Sequence, residues 1–290
     1  MTNTSRVTTM TRTCCVALGC LLAAAALLSA ADPRQALRVC ADPDNLPFSN
    51  DRSEGFENRI AQIIAEDLHL PLQYEWYPQR NSFLRQTLNA GKCDVVIGVP
   101  AGWDPVLATK PYYASSYVFI YRKNQASTLS SFDDPALRKL KIGLHAFGND
   151  GVNLPPARAL GQRGLAANVV GFSLFPGEGE SPSKIIDAVA SGEIGVAVVW
   201  GPLGGYFAKR ENTPLRVTPV SDASNLSLRF SYEISMGVRR TDTAWKEQLE
   251  GIIERRHKEI LQVLSEYGVP VVSGAEVAKL EKELASVSRK

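Results

Sequence analysis

The sequence predicts an α/β protein of two lobes, each a mostly parallel sheet covered by helices, with two extended strands joining them. Three observations carry this. Short apolar runs alternate with segments whose apolar residues recur at helical spacing, and the connections are only a few residues long. The run CDVVIGV, 93–99, is almost wholly apolar, as a strand buried on both faces is. Two longer β-rich segments, SSYVFIYRK at 115–123 and SYEISMGVRR at 231–240, stand where the alternation breaks and resumes.

In chain order, LRVCAD (37–42) reads as a strand, FENRIAQIIAEDL (56–68) as an amphipathic helix and LQYEWY (72–77) as a strand. SFLRQTLNAG (82–91) reads as a helix ending at Gly91, before the strand CDVVIGV. After the first long strand the pattern restarts with KIGLH (141–145), a turn rich in Gly, Asn and Pro, and a helix near 155–163. It continues through NVVGFSLF (168–175), the helix SKIIDAVASG (183–192), IGVAVVW (194–200) and LRVTPV (215–220). The second long strand leads into a long helical pattern over 245–268. A capping box, Ser273 to Glu276, then opens a tail helix with Val277, Leu280, Leu284 and Val287 on one stripe; docking on its own lobe is preferred over binding a partner.

Residues 1–31 stand apart. Arg6 and Arg12 precede the apolar run CCVALGCLLAAAALL, and Ser29-Ala30-Ala31 supplies the small residues of a cleavage site. This is the pattern of a secretory signal peptide, and the run is too short for a spanning helix. The expected organisation is therefore a signal peptide over 1–31, a first lobe over 32–118 and a second over 119–230. The second connecting strand, the rest of the first lobe and the tail helix fill 231–290. Cleavage takes away two arginines and no acid, so the mature chain has a formal charge near zero, and its scattered basic residues read as solvated surface, with nothing that suggests binding to nucleic acid or an anionic membrane. A monomer is expected.

Only Cys40 and Cys93 remain in the mature chain. In an oxidising compartment a lone pair is a disulfide candidate, with two buried thiols as the alternative. The three histidines make no ligand spacing with them, and neither a metal nor a cofactor is expected.

The order strand, GFENRIAQIIAEDL, strand, helix, GKCDVVIG, KPYYASSYVFIYRK, running on to GVRRTDTAWKEQLEGIIERR, resembles the periplasmic solute-binding proteins of the amino-acid-binding type. The resemblance implies the periplasmic binding protein type II fold, with two hinge strands and a ligand cleft between the lobes. Two departures argue against an amino-acid ligand. Glu57 is followed by Asn58 and Arg59 where those relatives carry a second acid. The loop VPAGWDPVLATKPYY also lacks the arginine with which they grip a carboxylate. The segments RVCADPDNLPFSN, GFENRIAQIIAEDL, LNAGKCDVVIGVPAGWDPVLATKPYY and VAVVWGPLGGYFA resemble more closely the quinoprotein-dehydrogenase-associated subgroup, the accessory J proteins of methanol dehydrogenase gene clusters. Membership implies a periplasmic accessory of a pyrroloquinoline-quinone (PQQ)-dependent methanol dehydrogenase in methylotrophic metabolism. Whether that partner depends on calcium or on a lanthanide stays open, with the lanthanide branch preferred.

The same fold places strand ends, and so candidate site residues, around the cleft. Asp42, Asn45 and Phe48 come from the turn after the first strand, and Trp103 and Asp104 from the loop after CDVVIGV. Tyr112, Tyr113, His145, Phe147, Trp200 and Tyr206 complete the set. So many aromatics predict a wide apolar cleft, suited to an apolar small molecule or an inserted peptide segment. The Gly-rich FPGEGESP (175–182) lacks the lysine of a phosphate loop. No nucleophile accompanies His145, so an enzyme, such as a dehydratase, ranks last. The alternative to the accessory is the substrate-binding component of an ABC transporter for a small solute that is not an amino acid.

Overall fold

The computed structural model describes residues 34–125, 128–146, 154–173, 181–221 and 228–273. The elements below all belong to one compact unit that begins at Ala36. Residues 1–31, read above as a signal peptide, Phe147, most of the Gly-rich loop and the expected tail helix lie outside the described residues.

Strand β1 (Leu37–Ala41) pairs in parallel with β4 (Leu72–Trp76), and Val39 bridges in parallel to Val95 on the way into β5 (Val96–Pro100). A small hairpin, β2 (Asp44–Asn45) and β3 (Ser49–Asn50), follows β1, with a cis peptide bond at Leu46–Pro47. Helix α1 (Phe56–Leu68) buries Phe56, Ile60, Ile63 and Ile64, the spacing expected of one helical face. That face packs with the 24-residue α6 (Thr243–Glu266), which contributes Trp245, Leu249, Ile252 and Ile260 to the same core.

Strand β7 (Tyr113–Arg122) connects the two halves. Its first residues, Tyr113 to Ser116, pair antiparallel with β12 (Ser231–Val238), which in turn pairs with β5 and with β6 (Leu107–Ala108). From Tyr117 onward β7 pairs instead with β10 (Val196–Trp200) on one side, and from Val118 onward also with β11 (Leu215–Pro219). Beyond β10 the sheet continues in parallel through β8 (Ile142–Ala146) and β9 (Val169–Ser173). One side of this second sheet packs against α3 (Pro155–Gln162) through Ala159 and Leu160. A separate cluster is closed by α4 (Lys184–Ser191) and flanked by α5 (Gly201–Ala208). The result is the two-lobed type II binding-protein arrangement, with parallel strands in each lobe and antiparallel pairs in the small hairpin and where the crossing strands enter.

Helix 82–91 is shorter than predicted. Only α2 (Phe83–Gln86) is helical, because Thr87 returns its hydroxyl to the Phe83 carbonyl at 2.7 Å and adopts φ −118°, ψ −86°. The chain then turns inward, burying Leu88 beside Cys40, Phe83 and Cys93. Cys40 and Cys93 form a disulfide with a Cα–Cα distance of 5.4 Å, tying β1 to the entry of β5. Among the described residues no helix is long and apolar enough to cross a membrane.

Candidate functional site

The site begins with a tight approach of backbone to backbone. Gly55, the residue before α1, lies so close to the Phe48 carbonyl that a Cβ there would collide with it. This lets the Phe56 N–H donate to Pro47 O at 2.8 Å and the Glu57 N–H to Phe48 O at 2.9 Å, which docks the first helical turn on the hairpin. Asn58 adds a cap, its Oδ1 accepting from the Gly55 N–H at 3.0 Å and the Asn50 N–H at 3.2 Å. Asp42 fixes the other end, accepting from the Asp44 N–H at 2.9 Å and the Gln79 N–H at 2.6 Å. Both of its oxygens are thereby engaged by backbone. The Asn45 side chain in turn donates to the Gln79 side-chain oxygen at 3.1 Å.

The crossing strands make the opposite wall. Side chains alternate across a strand, so Tyr113 and Tyr117 of β7 share one face, and the register sets Ile234 against Tyr113 and Tyr232 against Ser115. Trp200, at the end of β10, meets Tyr117 edge to face at 5.6 Å and Tyr232 at 5.8 Å. Between hairpin and strands lies a cavity of about 300 Å³, lined by Phe48, Tyr113, Tyr117, Trp200 and Tyr232, with Asn45, Gln79, Ile234 and the 98–100 backbone completing it.

Glu57 also lines this cavity, and it is the one acidic side chain among the described lining residues. Its carboxylate occupies the space a side chain at Gly98 would need, Oε1 packing against that glycine. Burial among the surrounding rings pushes its carboxyl up to about 8. Among the described residues no basic side chain lines the cavity. The same burial, with the nearby Glu57 adding to it, raises the Tyr113 phenol well above its ordinary value.

An open groove of about 930 Å³ shares Gln79, Gly98, Val99 and Pro100 with the cavity and runs outward past Arg80, Phe83 and Trp103. Trp103 is 40% exposed there, one of two exposed large apolar side chains among the described residues. Its neighbour Asp104 points to solvent and pairs with Arg240 at 2.8 Å, on the rim rather than in the cavity.

Of the residues proposed from sequence, Asn45, Phe48, Tyr113 and Trp200 meet in the cavity, and Asp42 supports its hairpin. Tyr112 turns into the first core, its hydroxyl donating to Ile97 O at 3.1 Å. Tyr206 stacks on Tyr267 at 5.8 Å under Arg210, away from the lining. His145 is buried in a separate small pocket with Tyr117, Leu154 and Trp200, where desolvation lowers its pKa to about 4 and leaves the ring neutral near pH 7. Phe147 lies outside the described residues. The sequence reading missed Tyr117, Tyr232 and the role of Glu57. The period of two along β7 and β12 was the available signal for the two tyrosines. Among the described residues no group of three or more His, Cys, Asp or Glu could hold a metal ion.

Comparison with known proteins places the chain in a family. Residues 37–267 match the model of the bacterial extracellular solute-binding proteins, family 3. Protein MoxJ of Methylorubrum extorquens is 33% identical over 245 residues, 81% of each chain. The crystal structure of the periplasmic binding protein XoxJ from Methylobacterium extorquens AM1 superposes with a TM-score of 0.67 at 34% identity, covering 82% of this chain and 99% of that one. MxaJ from Methlophaga aminisulfidivorans MPT gives a TM-score of 0.71 at 25% identity, covering 81% and 100%. The chain therefore belongs to the bacterial extracellular solute-binding proteins, family 3, on the J-protein branch that XoxJ and MxaJ represent.

Proposed function

We propose that this chain is a noncatalytic periplasmic accessory protein that assists the assembly or activation of a PQQ-dependent methanol dehydrogenase, using the cleft to engage a segment of that enzyme. The observation that carries this reading is the lining of the cavity. A receptor for free amino acids needs a planar cationic clamp for the carboxylate, whereas here rings, a lone glutamate and a groove opening past Trp103 offer contact to a chain segment. Likeness to MoxJ, XoxJ and MxaJ supports the same direction, as does the export signal read in residues 1–31. Among the described residues no Ser, Cys or His lines the cavity and no group could hold a metal ion, which favours recognition over chemistry.

The test is association of the mature protein with the dehydrogenase, measured by co-elution using both the loaded and the cofactor-free enzyme. The reading expects co-elution and a restored dehydrogenase activity on addition of the accessory. Amino acids should shift its melting temperature little, since a micromolar ligand at a hundredfold excess would stabilise by about 2.7 kcal/mol. A large shift with a polar solute and no association would instead make the chain a transport receptor.

A further inference from the structure

We propose that the Glu57 cavity takes a single ammonium group carried on a short apolar stem, supplied either by a free alkylamine or by a lysine side chain of the partner enzyme. The lysine source rests on the accessory reading above; the site itself does not. Two observations converge. Glu57 places its carboxyl in a cavity whose described lining contains no cation, and desolvation alone, with no hydrogen-bond or charge partner among the described residues, sets its pKa. Desolvating its charge without a partner is costly, so the group holds its proton to about pH 8, and a cation entering the cavity would favour the ionised form. The remaining walls are the rings of Phe48, Tyr113, Tyr117, Trp200 and Tyr232, whose faces attract a cation and whose edges accept an alkyl stem.

Size favours an ammonium over a guanidinium. Glu57 lies against Gly98, where no side chain intervenes, and the compact charge of an ammonium needs less room beside it than a planar guanidinium fork. A volume of about 300 Å³ sits at the small end of ligand cavities and holds a head group with a few methylenes.

Isothermal titration of the mature protein at pH 8 with n-butylammonium, butan-1-ol and butyrate tests this. The expected result is binding of n-butylammonium at least tenfold tighter than either other probe. Glu57→Gln should lose at least tenfold in that affinity, and Gly98→Ala, which displaces the carboxylate, should lose as much. Absent binding, equal affinity for butan-1-ol or butyrate, or unchanged affinity in both variants would overturn the proposal. Co-elution with the dehydrogenase separates the two sources. If Glu57→Gln also abolishes association, the ammonium is the partner's lysine; if association survives while n-butylammonium binding is lost, the site serves a free amine. Failure of the titration with association intact would sink this inference and leave the accessory reading standing, and the reverse pattern would do the opposite.

Discussion

Gly205 of α5 and Gly268, just past the end of α6, meet backbone to backbone, so closely that a Cβ on Gly205 would collide with the Gly268 carbonyl oxygen. Gly268 has φ +74°, the left-handed conformation that ends helices and that glycine adopts without strain. The contact is reinforced by Lys209, whose Nζ donates to Glu266 O at 2.9 Å, and by the Tyr206–Tyr267 stack with Arg210 over it at 3.5 Å. The Tyr267 hydroxyl continues to Glu54 O at 2.7 Å, just before α1. The helix that follows Trp200 is thus fastened to the helix and turn that carry the hairpin side of the cavity.

Gly205→Ala should therefore destabilise the protein by about 1 to 3 kcal/mol, the usual cost of overpacking a tight contact. Thermal denaturation checks it; an unchanged melting temperature would mean the two helices separate easily.

Glu57 makes stability depend on pH with a definite sign. Its carboxyl titrates near 8 in the folded chain and near its ordinary 4.5 once unfolded, so between those values the folded protein keeps a proton the unfolded chain has lost. Stability falls as pH rises through that window. The N-terminal field of α1 favours the anion and trims the effect. Glu57→Gln should consequently gain about 2 kcal/mol more at pH 8 than at pH 5. Urea unfolding at the two pH values measures this, and an equal gain at both would contradict the burial argument.

Asp94 behaves in the opposite way. Although its burial works against ionisation, hydrogen bonds from Arg38 Nε at 2.8 Å and Nη2 at 2.7 Å, and from Arg239 at 3.0 Å, hold its carboxyl below the ordinary value. Stability from this group is present above the unfolded pKa and lost as pH falls through the folded one. Asp94→Ala leaves two arginines without their shared partner and should cost about 3 kcal/mol, read by chemical denaturation at pH 7.

The Cys40–Cys93 bond closes a loop with a sequence separation of 53. Chain entropy makes it worth about 4 kcal/mol. The double variant Cys40→Ser, Cys93→Ser should lose an amount of that order, and denatured, unreduced mature protein should show no reactive thiol. Two reactive thiols would show that the bridge does not form.

Much of the fold was legible because its signals are local. The apolar spacing of FENRIAQIIAEDL marks α1 over Phe56–Leu68, and the crossing strands stand out by their length. The segment 82–91 misled because Thr87 competes for a backbone carbonyl and Leu88 is drawn inward beside the disulfide, neither of which helical spacing reveals. The site was legible in part. Phe48 and Trp200 sit at strand ends, where a cleft reading looks first. Tyr117 and Tyr232 lie in strands read only as connectors, and they reach the cavity through register and alternation across two distant segments. Glu57 was noted only for the residues that follow it, and an acid in the first turn of a helix is a favourable and common position that does not mark a site. Its isolation depends on Gly55 and Gly98, two close approaches that only three-dimensional packing brings together.

Photo-crosslinking tests most directly the claim that the cleft engages the dehydrogenase. A photoreactive phenylalanine analogue is placed singly at Phe48, at Trp103 and, as a distant exposed control, at Lys258, and each protein is irradiated with the cofactor-free dehydrogenase. Positions 48 and 103 should crosslink to one short stretch of the enzyme while 258 does not. Crosslinking from 258 alone, or from none of the three in a complex that demonstrably forms, would contradict the account.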